Sequence, residues 1–121
     1  MKNCEIALNL KHGKKRIKIR AKKAEGFLKA RGLMLSSGRN NLLFEFKRDV
    51  RTPMHSWFVF FPFVIIWLDK NNRLLEFRIA KPFESFIMPK KKFRKALEIP
   101  LNRKTKEGEF FLKDYRRRGK V

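Results

Sequence analysis

The stretch that decides the fold is Trp57-Phe58-Val59-Phe60-Phe61-Pro62-Phe63-Val64-Ile65-Ile66-Trp67-Leu68. No Asp, Glu, Lys or Arg occurs from Thr52 through Leu68. A membrane-crossing helix needs about 20 apolar residues, and runs of about 10 to 14 belong to buried cores. Pro62 falls in mid-run, where it would remove a helical hydrogen bond and clash with the preceding turn. β-branched and aromatic residues dominate the rest, which suits a pleated, packed surface. The reading is two strands, at 57–60 and 63–69, with a bend at Phe61-Pro62. Strands this apolar must be covered on both faces, so they are central.

Alternation builds the rest outward from there. Lys70-Asn71-Asn72 is a hairpin turn, and 73–80 is the return strand with Leu75, Phe77 and Ile79 on one face. Near the N-terminus, Ile6, Leu8 and Leu10 alternate, as do Ile17, Ile19 and Ala21, around a turn at His12-Gly13. The spacing of Ala21, Ala24, Phe27 and Leu28 predicts a short helix over 22–31 that ends near Gly32. Residues 36–41 form a loop by composition, 42–46 a strand, and 49–53 a break. Residues 82–92, with Pro89, are irregular. Strands follow at 93–101 and 109–115, then a frayed basic tail at 116–121. About seven short strands and one helix predict a mainly β fold, a compact antiparallel barrel or sandwich with one short helix. The whole chain, 1–121, reads as a single domain.

Composition sets the chemistry. The chain has 121 residues, 43% of them hydrophobic, and carries 32 Lys and Arg against 11 Asp and Glu, a net charge of +21. Disorder, collagen-like and disulfide-scaffold classes are excluded. Cys4, the one cysteine, can form neither an internal disulfide nor a thiolate metal cluster, and reads as an apolar filler. The N-terminus lacks an apolar run of signal-peptide length, so the expectation is a cytoplasmic protein, not an integral membrane one. There is no glutamine, which leans toward a thermophilic source.

Several landmarks together resemble a known family. Gly32-Leu33-Met34, Leu43-Phe44-Glu45-Phe46, the arm 55–69, Pro82 and Ala96-Leu97-Glu98-Ile99-Pro100 follow the order and spacing of the group called domain of unknown function 192, over about 15–101. In that resemblance Ala21 opens the short helix. It implies a compact β domain with a short helix and no established chemistry. The sequence departs from the family pattern at Val59 and Phe60, where Met and a polar or basic residue are usual, and at Val64, where Asp is usual. Loss of a base and an acid together is what an internal pair would leave, since replacing both members by apolar groups can be neutral.

Catalytic machinery needs converging titratable groups, and the supply is small. His12 reads as a solvated turn residue and His55 as a strand-end histidine bonded to backbone. His55 and Ser56 adjoin in sequence, so on a strand they point to opposite faces and make a poor base–nucleophile pair, with Asp49 nearby. Glu76 and Glu98 read as partners of Lys or Arg side chains. No metal-ligand spacing and no phosphate-loop pattern is present. No catalytic residue, metal or cofactor is assigned.

The cations are the informative feature. Lys14, Lys15, Arg16, Lys18, Arg20 and Lys22, with Lys11 and Lys23, crowd the first hairpin. Lys90, Lys91, Lys92, Arg94 and Lys95 form a second group. Alternate strand positions lie about 6.6 Å apart on one face, so Lys18, Arg20 and Lys22 make an evenly spaced cationic row. Such surfaces bind polyanions by counterion release. Phe86, Phe93 and Tyr115, lying close to basic groups, are the candidates for base stacking; the other Phe residues read as core. The expected function is a non-enzymatic domain that contacts RNA, DNA or another polyanion electrostatically. The alternative is a structural or protein-partner-binding domain, followed by an enzyme of unrecognised substrate. An anionic membrane surface, anchored by Trp57 or Trp67, is a further reading of the same charge.

Overall fold

In the computed structural model, residues 5–24, 38, 40–56 and 59–117 are described, with side chains from Leu8 onward. They form six strands, β1 (Glu5–His12), β2 (Lys15–Lys23), β3 (Leu42–Val50), β4 (Phe63–Leu68), β5 (Leu74–Ala80) and β6 (Phe93–Pro100), and one helix, α1 (Lys106–Arg117). The sheet order is β1-β2-β3-β6-β4-β5. All neighbours are antiparallel except β2 and β3, which run parallel through Lys22–Leu42 and Lys23–Leu43. The sheet curls until its two edges touch: Lys11 bridges Arg73, and the Lys11 N–H donates to the Asn72 carbonyl at 2.8 Å. The result is a nearly closed barrel, which bears out the mainly β reading.

β4 explains the curl. All six of its residues are buried. Val64, Ile66 and Leu68 point inward with Leu8, Leu10, Ile19, Leu43, Leu97 and Ile99, while Phe63, Ile65 and Trp67 point outward. The outer face is roofed by residues 51–56, 59–62 and 81–92, which meet where Met54 bridges Ile87 and which bury Val59, Phe61 and Ile87 over the outward side chains of β4. The both-faces-covered reading of this stretch therefore holds, but Val59 and Phe60 belong to the roof and not to a strand. Pro62 separates the two roles. Trp57, Phe58, Cys4 and most of the expected 22–31 helix lie outside the described residues; Ala21, Lys22 and Lys23 are strand residues of β2, so no helix opens at Ala21. β3 runs on to Val50 across an irregularity, beyond the break expected at 49.

Two further expectations are corrected. On β5, Leu75 packs on the outer cluster while Phe77 and Ile79 pack on the inner one. The cause is a bulge: Trp67 pairs with Glu76 and Leu68 with Leu74, which leaves Leu75 as the extra residue. The segment 109–115 is helix, not strand, and Arg116 and Arg117 are its last turn, not a frayed tail. The Thr105 hydroxyl caps its N-terminus by accepting the Gly108 N–H at 3.0 Å. Glu107 and Glu109 stand in the first turn and Arg116 and Arg117 in the last, matching the helix dipole. A Cβ at Gly108 would come 2.9 Å from that hydroxyl and 3.1 Å from Leu101, so close packing explains a glycine inside a helix. Phe111, fully buried, fills the inner cluster and fixes the helix to the barrel.

Candidate nucleic-acid interface

The touching edges of the barrel create the site. The β1–β2 turn is a two-residue loop, Gly13-Lys14, with Gly13 at φ +64. The β4–β5 turn is held by Asp69, whose Oδ1 accepts the N–H groups of Asn71 and Arg73 at 2.8 and 2.9 Å. These two turns lie at the same end of the barrel. Between them opens a groove of ≈ 530 Å³ lined by Lys11, Gly13, Lys14, Arg16, Arg73 and Leu74, with four cations and, among the described residues, no carboxylate in its wall. A second groove of ≈ 550 Å³ shares Leu74 and continues along β5 past His12, Glu76, Arg78, Lys90, Lys91 and Tyr115. Its acidic residue, Glu76, accepts the backbone N–H of Lys90 at 2.9 Å and so anchors the second basic group beside the seam.

Lys14 and Arg16 of the first basic group thus adjoin Lys90 and Lys91 of the second through one shared wall residue. Lys15 lies over the Phe110 ring at 5.4 Å from its centre. Lys92 is exposed beside Lys91. Lys18 and Arg20 are exposed and Lys22 half-buried on β2, alternating with Ile19 and Ala21, so the row with Arg16 exists on one face. Arg94 and Lys95 are drawn off: Arg94 pairs with Asp49 at 3.1 Å, and Lys95 contacts Glu45 at 3.7 Å and Asn72 Oδ1 at 2.6 Å. Of the stacking candidates, Phe86 is 64% exposed and Tyr115 lines the second groove, but Phe93 is corrected to core. It lies edge-on to Phe46 at 5.6 Å and beside Trp67. Its strand position turns it under the roof. Sequence reasoning missed Arg73 and Arg78 as groove residues, and Phe60 and Phe83 as exposed rings; the last two stand 63% and 44% exposed.

The titratable residues also depart from expectation. His12 is half-buried, not a solvated turn residue: its Nε2 lies 3.4 Å from Asp114 Oδ2, and its ring stands edge-on to Phe77 and Phe110. Asp114, buried on α1, also accepts from Arg117 at 2.6 Å, so this trio ties helix to barrel below the seam. Ser56 is fully buried. Its hydroxyl donates to the Lys81 carbonyl and accepts the Glu84 N–H, each at 2.6 Å, which makes it the clasp of the roof. His55 is exposed in the irregular stretch before β4. Neither Glu76 nor Glu98 pairs with a cationic side chain among the described residues, contrary to expectation. Glu98 points beneath the roof, is 4% exposed, and its Oε1 has no hydrogen-bond partner. Burial raises its carboxyl to about 8, so it is held neutral at physiological pH. Trp67 Nε1, also without a partner, lies diagonally across the β4–β6 ladder on the same face.

No family model matches the chain, and no curated protein matches it. Two solved structures are similar. One, from Sinorhizobium meliloti 1021 and provisionally described as a transcription regulator, is 15% identical with a TM-score of 0.71 and 83% of each chain covered. The other, a protein of unknown function from Novosphingobium aromaticivorans DSM 12444, is 18% identical with a TM-score of 0.67, covering 79% of this chain and 73% of its own. These likenesses show the fold. Among the described residues, no helix is long and apolar enough to cross a membrane.

Proposed function

We propose that this domain binds nucleic acid, through its phosphates, at the seam where the barrel closes. The observation that carries the proposal is the groove walled by Lys11, Lys14, Arg16 and Arg73, with no carboxylate in that wall among the described residues. Like charges brought this close raise the local potential, and a polyanion relieves it while releasing its own counterions. The groove continues toward Lys90 and Lys91, and the β2 row flanks it, so a strand longer than the groove meets further cations. Provisional description of the Sinorhizobium protein as a transcription regulator is compatible with the same reading. Membership of the domain of unknown function 192 group is part of the proposal and rests on the order of the sequence landmarks. The test is a titration of the protein with RNA and duplex DNA at several salt concentrations. The expected result is a steep linear fall of log K with log salt. Absence of binding at roughly 100 mM salt, where phosphate contacts still register, would leave a structural or partner-binding domain.

A further inference from the structure

Among the described residues, the large apolar side chains left exposed are all phenylalanines: Phe60, Phe83 and Phe86. Every described Leu, Ile and Val is buried or half-buried. Exposed rings beside cations offer π faces on which unpaired bases can stack, a contact that aliphatic side chains do not supply. The backbone that presents one of them is fixed. Phe83 takes φ +62, a left-handed conformation that is costly for a bulky residue. It is held there by its own N–H donating to the Ser56 carbonyl at 2.9 Å, next to the Ser56–Lys81–Glu84 clasp. Phe60 stands edge-on to Phe83 with centroids 5.4 Å apart.

The placement supplies the rest. Residues 81–92 cross the outer face from the end of β5 to the start of β6, and the exposed positions along them are Lys81, Phe83, Ser85, Phe86 and then Lys90, Lys91 and Lys92. The crossing spans about the length of a six-residue strand, roughly 20 Å, and delivers its lysines to the second groove. Cations flank the rings along one path that ends at the second groove. We infer that the polyanion is single-stranded: its bases stack on Phe83 and Phe86, with Phe60 bracing the pad, while its phosphates run on to Lys90, Lys91 and the groove. Paired bases are stacked on each other and cannot take this position.

This inference rests on the proposed polyanion binding, and the test separates the two. A single-stranded 12-mer, the same sequence as duplex, and vesicles of anionic lipid are titrated against the wild type, Phe86→Leu, Phe86→Tyr and Phe60→Ala/Phe86→Ala. Phe86→Leu keeps apolar area without a ring, and Phe86→Tyr keeps the ring; both positions are exposed, so folding is spared. The expected result is a loss of at least about fivefold in single-strand affinity for Phe86→Leu, more for the double variant, none for Phe86→Tyr, and unchanged duplex binding. Equal single-strand affinity for Phe86→Leu and the wild type, or equal losses for both nucleic acids, overturns the inference and leaves groove binding intact. Vesicle binding that depends on the rings, without single-strand binding, overturns it in favour of a membrane surface. Failure of every nucleic acid to bind overturns both readings.

Discussion

Glu98 is the residue whose setting differs most from its type. It stands on β6 between Leu42 of β3 and Ile65 of β4, facing the outer apolar cluster. Its carboxyl keeps a proton up to about 8, against an ordinary 4.5. Unfolding between those values releases that proton, so this group's contribution to stability falls as pH rises through the window, by up to about 1.4 kcal/mol per pH unit, and is level outside it. Glu98→Gln mimics the neutral form. Denaturant unfolding at pH 5, 7 and 9 should show a variant that matches the wild type at pH 5 and exceeds it at pH 9; identical pH dependence would contradict the burial argument. Ser56 makes a second residue-scale case. Ser56→Ala leaves the Glu84 N–H and the Lys81 carbonyl without their clasp, and the expected loss in a urea melt is about 1–3 kcal/mol. A change under a few tenths would mean that the roof does not depend on it.

At the scale of elements, β4 was readable because its burial on both faces is written as an unbroken apolar run, and the β1–β2 hairpin because its inward face alternates. The helix α1 reads as a strand in the sequence for a physical reason. Gly108 and the adjacent Phe110 and Phe111 weaken the helical pattern, and the glycine is there only because Thr105 and Leu101 leave no room for a Cβ. Its cap and end charges were present in the sequence and are the better signal. Bulges hide likewise: nothing in the alternation of β5 marks Leu75 as the extra residue. The helix also plugs the barrel, with Phe111 packed edge-on against Phe77 at 5.2 Å. Phe111→Ala should therefore cost about 3–5 kcal/mol in unfolding free energy, measured by denaturant melts. A cost below about 1 kcal/mol would show a helix that is merely laid on the surface.

For the whole molecule, the charge was legible as +21 but its arrangement was not. Lys11 and Arg73 lie far apart in sequence, and only the curl of the sheet brings them together at one bridge. The same closure assembles the groove, while Arg94 and Lys95, which follow Lys90 and Lys91 of the second groove in sequence, are spent on Asp49 and Glu45. Burial, strand pairing and counter-ions thus sort one cationic chain into used and neutralised groups. The direct measurement is the slope of log K against log salt for a single-stranded RNA, taken for the wild type and for Lys11→Gln/Lys14→Gln/Arg16→Gln/Arg73→Gln. With about 0.7 counterions released per contacted phosphate on a single strand, the variant should lose roughly 2 to 3 from the slope, along with most of its affinity at 150 mM salt. A slope equal to that of the wild type would contradict binding at the seam.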